Sequence, residues 1–221
     1  MSEALGAPIP VDEPGRNRER AGNAVSVKPA RKISRDLEWF VEEARCSHDL
    51  FAARDFGPRI VDPFAGLGNI LASARACGLR AWGSDLVARA PGIVGSKDFF
   101  SPRWRAPERF GTFAIIANPP FGGREPVIRN IAALALKRAR RVALLVPFQR
   151  LTAADWLADL PCAEILAVSP RPSLWPGEIY LQKLVAGEPL GKGEADVCWL
   201  LFERGFAGRP QFGRLAREAR A

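Results

Sequence analysis

Arg59-Ile60-Val61-Asp62-Pro63-Phe64-Ala65-Gly66-Leu67-Gly68-Asn69-Ile70 decides the fold. It reads as a short apolar strand, an acid at the strand tip, a Gly-rich turn and the start of a helix. The spacing predicts a helix from Ile70 to about Cys77, with Asn69 as its N-cap. The glycines allow close backbone approach, and a helix N-terminus offers free N–H groups. Arg80-Ala81-Trp82-Gly83-Ser84-Asp85 follows as a second strand that ends in an acid. A carboxylate placed there can accept hydrogen bonds from both hydroxyls of a ribose. A dinucleotide turn would carry a third glycine, but Leu71 stands at that position. Asp62, just ahead of the turn, suits a cationic ligand better than a pyrophosphate.

Downstream, Ala117-Asn118-Pro119-Pro120-Phe121 ends another apolar run, Thr112-Phe113-Ala114-Ile115-Ile116. An amide, two prolines and an aromatic ring thus leave a buried strand together. Neither proline has an N–H and each fixes its own φ, so the turn is stiff and its carbonyls are free to accept. Such a turn can hold two oxygen acceptors around an amino group and lay a ring on a flat base. Ligands of a parallel sheet sit outside the carboxyl ends of its strands. Asp62, Asp85 and Asn118 all fall at such ends and are expected to share one crevice.

Strand and helix patterns alternate from Arg59 onward, which predicts a doubly wound, mostly parallel α/β sheet closed by an antiparallel strand near the C-terminus. Strands are expected near 59–62, 80–85, 113–117, 142–146, 163–168 and 196–203, and helices near 69–77, 124–140 and 152–159. A short strand ending near Ile93 is expected to lead to the loop Lys97-Asp98-Phe99-Phe100. Leu37 to Ala44 reads as a helix start. Residues 1–30 are rich in Pro, Gly and charge and are expected to form a flexible arm. Residues 31–206 would be the folded domain, and 207–221 a basic tail with Arg214, Arg217 and Arg220. The stretch 169–195 reads as a long connection with Arg171, Trp175, Tyr180 and Lys183, long enough to suggest a role in function.

The chain has 221 residues, enough for one α/β domain with a full core. It shows no bilayer-length apolar run and no signal segment. Cys46, Cys77, Cys162 and Cys198 are scattered singly, without zinc-ligand spacing, which points to a reduced, cytoplasmic setting. The one histidine, His48, offers neither a His-based triad nor a metal cluster. A net charge of +8 favours a polyanionic partner. The group Lys137-Arg138-Ala139-Arg140-Arg141 reads first as a solvated helix end whose cations suit the helix dipole.

Asp-Pro-Phe-Ala-Gly-x-Gly from Asp62, Gly-Ser-Asp-Leu from Gly83 and Asn-Pro-Pro-Phe from Asn118 occur in the order of class I S-adenosylmethionine-dependent methyltransferases. The chain resembles the Asn-Pro-Pro-Phe amino-methyltransferases, and over about residues 35–205 the compact phage-type DNA adenine N6-methyltransferases. The resemblance implies a Rossmann-like methyltransferase fold and S-adenosylmethionine as cofactor. Asp62, Pro63, Phe64, Gly66 and Gly68 would cradle its methionyl part, and Asp85 would take the ribose hydroxyls. Leu86 would cover the cofactor adenine, with Asp98 and Phe99 at its edge. Asn118 and the Pro119 carbonyl would accept from the target amine, while Pro120 stiffens the turn and Phe121 stacks on the base. In the family an aromatic and a Pro-containing turn border the cofactor near Trp39 and Phe40; here Glu42-Glu43 replaces the usual Thr-Pro or Glu-Pro pair. The expected partner is nucleic acid, DNA first, with no membrane and no metal. An RNA base or a protein glutamine poses the same chemical problem. A non-catalytic cofactor-binding or DNA-binding accessory protein is the reading from another class.

Overall fold

The computed structural model describes residues 39–122, 127–151, 155–191 and 194–216. The expected arm at 1–30 and the end of the expected tail lie outside them. The elements in chain order are β1 (Phe40–Glu42), α1 (Ala44–Ala53), β2 (Arg59–Asp62), α2 (Asn69–Ala76), β3 (Arg80–Ser84), β4 (Ile93–Val94) and β5 (Ala114–Ala117). There follow α3 (Val127–Arg138), β6 (Arg141–Pro147), β7 (Cys162–Ser169), β8 (Leu174–Pro176), α4 (Gly177–Ala186), β9 (Val197–Glu203) and β10 (Gln211–Ala216).

The central sheet has the order β10-β7-β9-β6-β5-β2-β3-β4. From β4 to β6 every pairing is parallel, and β9 inserts antiparallel between β6 and β7. Ala114-Ile115-Ile116-Ala117 is buried throughout, as a parallel strand covered on both faces must be. One face packs Val61, Ile115, Val142 and Leu144 against Ile128, Ile131 and Ala135 of α3. The other packs Ile60, Ile116, Ala143 and Leu145 against Leu50 of α1 and Ile70 of α2. Trp199 of β9 is fully buried there, and its Nε1 donates to the Cys46 carbonyl at 3.0 Å. Among the described residues no helix is long and apolar enough to cross a membrane.

The structure departs from the sequence reading in five places. Of the helix expected near 152–159, the described part, Asp155–Asp159, is a short 3-10 helix. Phe40–Glu42 is a strand rather than a helix start, because it pairs antiparallel with β8, Val41 opposite Trp175. The helix then begins at Ala44. Gly68, not Asn69, is the N-cap of α2: it holds a left-handed φ of 85°, while the Asn69 amide is turned away to the Glu42 carbonyl at 2.8 Å. The 169–195 connection contains β8 and α4. Gln211–Ala216 adds an edge strand parallel to β7, within what reads as a tail.

Candidate active site

The tips of β2, β3 and β5 open onto a cavity of about 520 Å³, a volume suited to a small-molecule ligand. Pro63, Phe64 and Gly66 of the turn line it, with Asp85 and Leu86 beyond β3 and Asn118, Pro119 and Pro120 beyond β5. Trp39 and Phe40 form the wall on the side of β1. Leu86 is 45% exposed, leaving an apolar surface free for a flat ligand. A narrow recess joins the cavity at Phe64, Gly66 and Asn118 and is lined by Glu42, Asp62 and Asn69. Gly68 lines neither space; it shapes the turn through its φ.

Asp62 is 1% exposed and its Oδ1 accepts from the Phe64 N–H at 2.9 Å. Burial drives its pKa well above the ordinary carboxylate range against that hydrogen bond, and the charges of Glu42 and Asp85 push the same way. Burial likewise raises Glu42, opposed by its hydrogen bond from Asn118. Two carboxylates in the recess, Glu42 and Asp62, with Asp85 in the adjoining cavity, favour a ligand that brings positive charge.

Asp85 is held from several sides. Its Oδ2 accepts from the Gly66 N–H at 2.9 Å, and its Oδ1 from the Val87 N–H at 3.2 Å and Arg89 Nη1 at 2.9 Å. The Arg89 guanidinium lies 4.6 Å from the Trp39 ring centroid. Asp98 closes the far wall, its Oδ1 accepting from the Phe100 N–H at 2.8 Å. Arg138 fixes this loop from behind: it donates to the carbonyls of Phe99 and Ser101 and its guanidinium lies 4.6 Å from the Phe99 ring centroid and 4.8 Å from that of Trp104. It is therefore a clamp and not a solvated helix-end cation.

Asn118 carries the most informative geometry. Its Nδ2 donates to Glu42 Oε2 at 2.7 Å and to the Phe40 carbonyl at 3.2 Å. Its Oδ1 is buried and meets no hydrogen-bond partner among the described residues. A buried acceptor left unsatisfied costs about 1–3 kcal/mol, so a ligand donor placed there would relieve a standing cost. Phe121 lies elsewhere than the sequence predicts. Its ring is 6% exposed, joins the core at 5.5 Å from the Phe40 ring, and does not line the cavity. The sequence reading missed Arg89 and the contact between Glu42 and Asn118. The spacing of Asp85 and Arg89 permitted an ion pair; nothing local signalled the other.

Among the described residues no group of three or more His, Cys, Asp or Glu could hold a metal ion. Burial pushes the thiols of Cys46, Cys162 and Cys198 up to about 12, which removes them as nucleophiles near neutral pH.

No protein-family model matches the chain, and no curated protein matches it. Among solved structures, a candidate RNA methyltransferase from Pyrococcus horikoshii superposes with a TM-score of 0.50 at 15% identity, over 80% of this chain and 92% of that one. A 16S rRNA N2 G1207 methyltransferase from T. thermophilus, solved with AdoMet and guanosine, has a TM-score of 0.37 at 15% identity, over 82% of this chain and 44% of that one. A modification subunit of a candidate type I restriction enzyme from Vibrio vulnificus has a TM-score of 0.43 at 14% identity. There the match covers 82% of this chain and 48% of the subunit, so it spans about half the subunit's length. The strand order and the Pyrococcus likeness define a Rossmann-like methyltransferase fold, mostly parallel with an antiparallel strand inserted near its C-terminal end.

Proposed function

We propose that this protein transfers a methyl group from S-adenosylmethionine to an exocyclic amine, adenine N6 in DNA. The observation that carries the reading is Asn118, which lines both the cavity and the acidic recess and whose buried Oδ1 meets no partner among the described residues. The site's residues fit this cofactor. Asp62 and the Gly66 turn suit its cationic methionyl end, Asp85 its ribose, and Leu86 with Asp98 its adenine. Bound there, the cofactor supplies an electrophilic methyl group.

The protein's own task is to make a poor nucleophile react. The lone pair of a base amine is delocalised into the ring. Asn118 Oδ1 and the Pro119 carbonyl would accept its two hydrogens, favour a pyramidal nitrogen and stabilise charge as it grows. The nitrogen lone pair forms the new N–C bond, and the S–C bond electrons return to sulfur. The surplus proton then leaves to water, so no side-chain base is needed. Alignment of the amine with the methyl supplies much of the remaining rate. Phe121 backs Phe40, which presents a ring to the cavity. An adenine must leave the duplex to reach this depth.

The polyanionic partner is argued from the net charge of +8, and binding to DNA is expected to weaken as salt rises. Incubation with labelled cofactor and separate DNA, RNA and protein pools tests the reading, with mass spectrometry of plasmid DNA from expressing cells. Methylated adenine supports it. Label confined to RNA or to a protein glutamine overturns the DNA assignment.

A further inference from the structure

The Asn118 amide is planar, and its two ends are nearly equal in shape. Packing alone does not decide which end faces the cavity; hydrogen-bond chemistry does. β1 brings Phe40 and Glu42, two residues apart, to the same amide. The Phe40 carbonyl can only accept, as can Glu42 whenever it is ionised, so the amide nitrogen faces them. Oδ1 is then the atom left over, and it is the one without a partner among the described residues. The strand is fixed in turn by Asn69, which donates to the Glu42 carbonyl, and by its pairing with β8.

Glu42 is an unlikely choice for mere packing. It is 7% exposed, and the nearby cation Arg45 pairs with Glu43 instead. Among the described residues no cation pairs with Glu42, and burying a carboxylate so is unfavourable. We propose that Glu42 is a positioning residue, whose buried carboxylate locks the Asn118 amide so that Oδ1, and not Nδ2, is presented to the methyl acceptor. This rests on the reading of Asn118 as the acceptor of the amine hydrogens.

Two variants separate the possibilities. Glu42→Ala removes the acceptor. Glu42→Gln keeps the shape but adds an NH2 that can donate to Oδ1, so it permits the amide to turn over. Glu42→Ala is expected to slow single-turnover methyl transfer by about 10- to 100-fold, as for losing a hydrogen bond to a charged group, with Glu42→Gln in between. The deciding measurement is a double-mutant cycle. In an Asn118→Ala background, Glu42→Ala should slow the reaction no further, because its effect runs through Asn118. Losses that add in the double variant overturn the proposal. A second readout needs no acceptor: exchange of the Asn118 side-chain amide protons, followed by NMR. These are expected to be protected in the native protein and to exchange faster in Glu42→Ala; unchanged exchange overturns the proposal. If the native protein methylates no acceptor, the proposed function fails, and amide exchange still decides whether Glu42 holds Asn118.

Discussion

Asn118→Ala divides into two effects that the structure keeps apart. Oδ1 has no partner among the described residues, so its removal costs none of their hydrogen bonds. Nδ2 satisfies Glu42 and the Phe40 carbonyl, so its removal leaves a buried carboxylate short of a donor. That loss is expected to lower stability by about 1–3 kcal/mol. The rate effect is separate. Removing one oriented group that stabilises charge in the transition state costs about 10²–10³ in rate, roughly 2.7–4 kcal/mol. Cofactor affinity should change little, because Asn118 serves the acceptor. Three measurements check this: single-turnover transfer, calorimetric titration of the cofactor, and urea unfolding. Asn118→Asp should not rescue the rate. It sets a second carboxylate against Glu42, and two buried like charges force one to take a proton. An unchanged rate in Asn118→Ala with cofactor binding intact would refute the reasoning. So would a loss of cofactor binding that accounts for the whole rate defect.

Asp85→Ala should weaken cofactor binding by about 1–3 kcal/mol, the range for losing charged hydrogen bonds; equal affinities by calorimetry would sink the ribose assignment. Burial, with Glu42 and Asp85, raises the Asp62 pKa, so the contribution of Asp62 to the stability of the ligand-free protein is fully present below the ordinary carboxylate range and is lost as pH rises through the raised value. A cationic ligand needs Asp62 ionised, so affinity should rise over that same interval and Asp62→Asn should flatten both trends; a flat affinity profile in the native protein speaks against the acidic recess as the ligand's site. At Gly177 an added Cβ would fall 1.9 Å from the Trp39 ring, so Gly177→Ala should displace Trp39, which tryptophan fluorescence and cofactor titration would register. Trp199→Ala should cost about 3–5 kcal/mol in urea unfolding, as large-to-small changes at fully buried aromatic sites do.

Much of the site was legible because its parts are contiguous in sequence. Arg59–Ile70 carries a strand, an acid, a turn and a helix start in one stretch, and the fold keeps that order. Ala114–Ala117 is apolar throughout because helices cover both faces, and its end is marked by Asn118-Pro119-Pro120. What escaped reading depends on distant partners. Phe40–Glu42 is too short to show a period, and it becomes a strand only because Leu174–Pro176 lies beside it. In α4, Leu181, Leu184 and Val185 are exposed, so its pattern shows no clean apolar face toward a core. Phe121 follows the Asn118-Pro119-Pro120 turn and reads as a ring laid on the target base. In space it joins Val61 and Ile115 in the core.

The same contrast separates what the two sheets contribute. The central sheet supplies the ends that carry Asp62, Asp85 and Asn118, and any doubly wound fold with these residues would gather them. It does not decide which face of the Asn118 amide meets a ligand. That depends on β1, which lies outside the central sheet and pairs only with β8 among the described residues. Within the 169–195 connection, β8 holds the strand that carries Phe40 and Glu42. The Ser173 N–H also donates to Glu43 Oε1 at 2.6 Å, which ties the segment to the start of α1. The Asn118 amide is thus tied to β8 through hydrogen bonds: what moves β8 moves β1, and what moves β1 loosens the amide on which the proposed transfer depends.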